Sequence, residues 1–187
     1  MRSEKLQSKV MPQKILLTSF QTWLPHQKSN SSDDLLDLVN ITRVQQRELD
    51  SLFFLRQLPV NAELATQHVI DAIRVINPQG IICCGMAESR NKLSVESNAS
   101  WSQDYIFTKV KLDELVNCLH NTNISHDAGK FICEGLYYRL LKHIQTEKLC
   151  LPCIFVHIPV LLPENLNLIE ADFKTIIEFI QSMSITA

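Results

Sequence analysis

A chain of 187 residues can bury one sizeable core but is too short for two comfortable ones, so a single domain is expected. With 45% hydrophobic and 20% charged residues the composition excludes an extensively disordered chain, and a formal net charge of −2 gives no electrostatic case for nucleic acid or an anionic membrane surface as partner. No apolar run reaches the roughly 18 residues of a membrane-spanning helix, and the opening "MRSEKLQSKVMPQ" lacks the apolar stretch of a signal peptide, so cytoplasmic residence and reduced thiols for the six cysteines are expected.

Residues 1–13 form a polar tail ahead of a domain expected over 14–187. "KILLTSF" (14–20) is a short apolar run followed by turn-prone residues, which predicts a buried strand. After the loop "QTWLPHQKSNSSDD", whose end offers N-cap side chains, "LLDLVNITRVQQ" predicts a helix with Leu35, Leu36 and Val39 on its buried face. "SLFFLRQLPV" (51–60) predicts the second strand. "NAELATQHVIDAIRVINP" repeats apolar residues at Leu64, Val69, Ile70, Ile73 and Ile76, a helical period that ends at Pro78. "GIICCGM" predicts a third strand, with Cys83 and Cys84 as core residues.

The segment "AESRNKLSVESNASWSQDYIF" has no clear period and is expected to hold irregular strands and loops. "KLDELVNCLHN" resumes helical spacing, and "GKFICEGLYYRLLKHIQTEK" carries Ile132, Leu136, Tyr137, Leu140, Leu141 and Ile144 along one stripe. "CIFVHIPVL" predicts a fourth strand, and "LIEADFKTIIEFIQSM" a last helix with Ile169, Phe173, Ile176, Ile177 and Ile180 buried. Strands separated by helices predict an α/β class domain of three layers, a mostly parallel twisted sheet with helices on both faces. With only four glycines, the chain lacks the Gly-rich phosphate loops of nucleotide-binding proteins.

Three residues stand out chemically. Cys133 lies four residues after Gly129, where a helix begins, and the unpaired N–H groups of a helix start favour a thiolate and can bind an oxyanion. The alternative is a core thiol, since free cysteine is among the most buried residue types. His157 interrupts the apolar strand "FVHIPV", and a buried imidazole needs a partner on each nitrogen. A thiol on one side and a carboxylate on the other would satisfy both, as in a cysteine hydrolase; a hydrogen-bonded core histidine is the other reading. Glu96, in "KLSVESNAS", is either an exposed carboxylate or the third member that orients the histidine. Cys150-Leu-Pro-Cys153 has the spacing of a redox pair or half a zinc site, but no second pair completes a zinc set.

"KILLTSFQTW", "GMAESRNKLSVES", "DAGKFICEGLYYRLL" and "FVHIPVLLPE" together resemble four consecutive blocks of the pyrrolidone-carboxylate peptidase (pyroglutamyl peptidase type I) family. Arg90 precedes Glu96 by six residues and Cys133 precedes His157 by 24, in the family's order. The resemblance implies Cys133 as nucleophile, His157 as general base and acid, and Glu96 as the residue orienting it. It implies hydrolysis of an N-terminal pyroglutamyl residue from a peptide with a blocked N-terminus, through a thioester and without cofactor or metal, by a protein that often forms homo-oligomers.

It also implies a substrate pocket. Phe20 and Trp23 fall where the family has two phenylalanines flanking the lactam, Phe131 and Ile132 match two further apolar positions, and Arg90 joins the substrate-binding set. The chain departs from the pattern at Ser19, Thr22, Leu24 and Pro25, and at Met86, Glu88 and Ser89, several of which replace glycines. The segment after Glu96 is shorter than in the family and lacks its D-A-R-I-P-x-N motif. Two other readings therefore stay open: hydrolysis of another small N-terminal acyl or lactam group, and a non-catalytic binding protein that keeps the fold.

Overall fold

The computed structural model describes residues 13–46 and 51–183; nearly all of the expected tail lies outside them. The elements run β1 (Ile15–Phe20), α1 (Ser31–Gln46), β2 (Leu52–Leu58), α2 (Ala62–Ile76), β3 (Gly80–Met86), β4 (Leu93–Glu96), β5 (Asn98–Trp101) and β6 (Asp104–Phe107). They continue with α3 (Leu112–Val116), β7 (Thr122–Ser125), α4 (Ile132–Thr146), β8 (Cys153–Ile158) and α5 (Leu166–Ser182).

Six strands form one sheet in the order β2-β1-β3-β8-β4-β7. The four strands from β2 to β8 are mutually parallel, β4 runs antiparallel to β8, and β7 is parallel to β4. The sheet is therefore mostly parallel with two reversed strands, β4 and the edge strand β7, and β5 and β6 form a separate antiparallel hairpin. β1 and β8 are buried along their whole lengths, because both sheet faces are covered and every side chain needs an apolar neighbour.

Alternate residues feed two cores. On one face Ile15, Leu17, Ile82, Ile154 and Val156 pack with Leu35 and Leu36 of α1, Leu112 and Leu115 of α3, and the Ile169, Phe173, Ile176, Ile177 and Ile180 stripe of α5. On the other, Leu16, Ile81, Cys83, Cys153 and Phe155 pack with Ala65, Val69 and Ile73 of α2 and Leu136, Tyr137, Leu140, Leu141 and Ile144 of α4. The three-layer α/β arrangement is the one the alternation of strands and helices predicts. No helix of the described residues is long and apolar enough to cross a membrane.

Four expectations need correction. The helix expected from Leu35 begins at Ser31, because Asn30 caps it: the Asn30 carbonyl accepts from Asp33 and Asp34 N–H, and its Oδ1 accepts from Ser32 N–H. Leu64 is exposed, since it precedes buried Ala65 by one position and so lies about 100° round the helix. The helix expected in "KLDELVNCLHN" closes at Val116. β7, which sequence reading passed over, follows it as a short and only partly buried edge strand.

The loop into β7 is fixed from below by Asp172 of α5. Its buried carboxylate accepts from His120 N–H, Asn121 N–H and the Thr122 hydroxyl at 2.7–2.9 Å. Burial alone would raise this carboxyl, but the donors from His120, Thr122 and Asn121 outweigh it and hold it below its ordinary 3.8. A folded-state value below the unfolded one means the stabilisation is present above pH 3.8 and is lost as pH falls through the folded-state value. Asp172→Ala, which leaves three donors unanswered, should cost about 2–4 kcal/mol at neutral pH. Urea denaturation should show the gap from wild type narrowing once pH drops below the ordinary aspartate range.

Candidate active site

The parallel strands end at one edge, and there β1 delivers Phe20, β3 delivers Met86 and β8 delivers His157. The N-termini of α1 and α4 open onto the same edge, bringing in Asn30 and Cys133. Ligand sites of parallel α/β sheets collect at this edge because strand ends and helix starts meet there. The result is a cavity of about 430 Å³ that both Cys133 and His157 line, together with Phe20, Trp23, Arg90, Phe131 and Ile132.

His157 is held from three directions. Its ring packs, tilted, at 4.9 Å from that of Phe155, two residues earlier on the same face of β8. Its backbone pairs with Gly85 of β3 and Ser94 of β4. Its Nδ1 lies 2.6 Å from Glu96 Oε1, and Glu96 is wholly inaccessible to water. Thus the carboxylate read as either exposed or catalytic is buried behind the histidine. Because β4 runs antiparallel to β8, Glu96 sits in register with Phe155 and reaches His157 along the sheet.

Arg90 Nη1 donates to the same Glu96 oxygen at 2.6 Å, while Nη2 donates to the Asp127 carbonyl at 2.8 Å and to Ser125 Oγ at 3.3 Å. Expected among substrate-binding residues, Arg90 does line the cavity, but its two terminal nitrogens face protein oxygens. The Tyr137 hydroxyl, on α4, donates to the Glu96 carbonyl at 3.1 Å and fixes the end of β4 from the other side.

Cys133 is the second residue of α4, whose start at Phe131 has no side-chain cap. Gly129, at φ +96°, makes the turn into this helix in a backbone region that L side chains rarely adopt. The thiol packs over Gly85: a Cβ there would lie 2.8 Å from Cys133 Sγ and 2.9 Å from the Phe155 ring. The helix start does not leave a standing thiolate. Burial, reinforced by the Glu96 carboxylate and the Cys83 thiol, pushes the Cys133 thiol up to about 12, and Arg90 offsets this only in part. Although both groups line the cavity, no hydrogen bond joins Cys133 to His157.

The aromatic positions divide. Phe20 is buried in the cavity floor, whereas Trp23 and Phe131 stand at its mouth, 52% and 73% exposed, with ring centroids 6.0 Å apart. Ile132 is half-buried between them and the thiol. The departures from glycine are absorbed by side-chain bonds. Ser19 Oγ donates to Asp33 and accepts from Gln57 N–H. Glu88 accepts from Gln27, whose own Oε1 receives Trp23 and Leu24 N–H, and so ties the Trp23 loop to the turn after β3. Sequence reading missed Asn30 as a cavity residue; a capping residue directly after an aromatic loop was the available signal. Of the remaining cysteines, Cys83, Cys84 and Cys153 are buried in the core and Cys118 and Cys150 are exposed, all as free thiols.

The family model described as Pyroglutamyl peptidase matches residues 102–183. A pyrrolidone-carboxylate peptidase of Oceanobacillus iheyensis is 26% identical over 171 residues, 78% of this chain and 83% of that protein. Pyrrolidone-carboxylate peptidase 1 of Caldanaerobacter subterraneus is 26% identical over 178 residues, covering 81% and 84%. The fold is shared with the crystal structure of Bacillus amyloliquefaciens pyroglutamyl peptidase I, with a TM-score of 0.75 at 19% identity over 91% of this chain and 97% of that one. It is shared too with a mutant pyrrolidone carboxyl peptidase from the hyperthermophile Pyrococcus furiosus, at a TM-score of 0.73, 20% identity, and 92% and 100% coverage.

Gly85→Ala tests the close approach of thiol and sheet. The added methyl must displace Cys133 Sγ or the Phe155 ring, so a loss of about 1–3 kcal/mol in urea denaturation is expected. A changed rate of Cys133 alkylation, followed by peptide mass spectrometry, should accompany it.

Proposed function

We propose that the chain is a divergent cysteine peptidase of the pyroglutamyl peptidase kind, which removes an N-terminal pyroglutamyl residue from peptides in the cytoplasm. Cys133 is the nucleophile, His157 the general base and acid, and Glu96 the residue that orients the imidazole. The observation that carries this reading is the 2.6 Å contact between His157 Nδ1 and a fully buried Glu96 oxygen, behind a cavity that Cys133 shares. A carboxylate only accepts hydrogen bonds, so the ring proton sits on Nδ1 and Nε2 keeps the lone pair that a base needs.

Burial pushes the thiol up to about 12, so Cys133 rests protonated and the thiolate forms as attack proceeds. Cys133 Sγ bonds to the pyroglutamyl carbonyl carbon while its proton passes to His157 Nε2. Glu96 stabilises the imidazolium so formed, and the uncapped first-turn N–H groups of α4 are placed to receive the oxyanion. Collapse breaks the C–N bond, and His157 returns the proton to the leaving amine. Water then attacks the thioester, giving a proton to His157, and pyroglutamate departs as the sulfur is reprotonated.

The cavity suits the substrate in kind. A pyroglutamyl group is small, flat and uncharged, and Phe20, Ala128, Ile132 and the Trp23–Phe131 pair offer apolar surface around it. Gln21, also in the lining, supplies side-chain polar atoms for an amide N–H and C=O.

Release of a fluorogenic amine from a pyroglutamyl amide is the direct assay. Wild type should turn over and Cys133→Ala should not, while Glu96→Gln should lower kcat by up to about 10⁴-fold, as expected when a triad histidine loses its orienting carboxylate. Turnover that survives Cys133→Ala, or its absence from the wild-type protein, would contradict the proposal.

A further inference from the structure

We propose that Arg90 is a positioning residue: by bonding the Glu96 carboxylate and the Asp127 carbonyl at once, it holds the orienting acid in register with the turn that carries Cys133. The inference rests on the Cys133–His157–Glu96 roles given above and assigns the arginine to those residues and not to the substrate.

Glu96 and Cys133 come from separate parts of the chain, one at the end of β4 and the other at the head of a helix. No hydrogen bond joins their side chains, and Arg90 spans the gap. Its Nη1 meets Glu96 Oε1 at 2.6 Å, the oxygen that His157 also uses. Its Nη2 meets the Asp127 carbonyl at 2.8 Å. Asp127 belongs to the turn into α4: its N–H donates to Ser125 Oγ and its Oδ1 accepts from Gly129 N–H at 2.9 Å. Three residues beyond Gly129 the helix begins. One guanidinium therefore touches both the acid behind the imidazole and the backbone that aims the thiol.

The electrostatics require such a partner. Glu96 has no exposure to water, and its Oε2 is buried without a hydrogen-bond partner. A buried carboxylate needs a counter-charge, and a neutral imidazole supplies only a hydrogen bond. Arg90 is the cation paired with it. The planar fork of arginine can serve two acceptors in fixed directions, whereas a lysine ammonium is a single point charge on a flexible stem. Both terminal nitrogens being so engaged, a substrate in the cavity meets the edge of a structural tie.

The test uses the full chain with Arg90→Lys and Arg90→Gln. With a pyroglutamyl amide as substrate, Arg90→Gln should lower kcat about 10- to 100-fold, the scale of misplacing a reacting group by an ångström. KM should stay within about twofold, because no substrate contact is removed. Arg90→Lys, which keeps the charge but cannot span both acceptors, should fall between. A second reading needs no substrate. The His157 Nδ1–H, in a short bond to a carboxylate, should give a far-downfield proton resonance that is absent from His157→Gln. That resonance should disappear in Arg90→Gln and persist in Arg90→Lys.

A raised KM with unchanged kcat, or a resonance that persists in Arg90→Gln, would overturn the proposal. If wild type does not cleave pyroglutamyl amides, the substrate reading fails while the resonance still decides the role of Arg90. Should Arg90→Gln not fold, the resonance and kinetics of Arg90→Lys decide it, since full wild-type kcat in that variant would dismiss the two-acceptor tie.

Discussion

Glu96 is a carboxylate sealed away from water, and the site is built around what that requires. A buried anion is tolerable only with a counter-charge and donors, and here His157 and Arg90 converge on one of its oxygens. The imidazole is thereby fixed in one tautomer, and the arginine reaches on to the turn that begins α4. Reversal of β4 relative to β8 makes this possible. A parallel strand would carry its last residue onward with His157, whereas the antiparallel one ends level with Phe155 and leaves Glu96 beneath the ring. Sheet topology and site chemistry are in this sense one constraint.

The thiol shows the same competition between burial and charge. A cysteine at a helix head is favoured as a thiolate, but Cys133 is pressed against Gly85 and Phe155 and lies near an anion. Those effects win, and the resting thiol keeps its proton. On the proposed mechanism the nucleophile is unmasked only as its proton moves to His157, and is spared the side reactions of a standing thiolate.

Most of the fold was legible from periodicity, and for a physical reason. β1, β3, β8 and the α4 and α5 stripes are long, strongly apolar segments whose burial follows from pattern alone. β4 to β7 were not, since four-residue strands of mixed polarity carry no period, and their direction is set by partners distant in sequence. The site divides likewise. Cys133 announces itself by its place at a helix start, and His157 as a polar interruption of an apolar strand. Glu96 gives no sign of burial, because the arginine that compensates it stands six residues earlier in a turn and reads there as a surface charge. The positions where glycine is replaced, such as Ser19 and Glu88, looked like losses in sequence and are hydrogen-bonded ties in the structure.

The central claim is that Cys133 becomes covalently acylated by a pyroglutamyl group. The measurement that tests it most directly is acid quenching of the wild-type protein during reaction with a pyroglutamyl active ester, followed by intact and peptide mass spectrometry. The account predicts a mass gain of one pyroglutamyl group, mapped to the peptide containing Cys133 and absent from Cys133→Ala. An adduct on another residue, or ester hydrolysis that proceeds equally in Cys133→Ala, would contradict it.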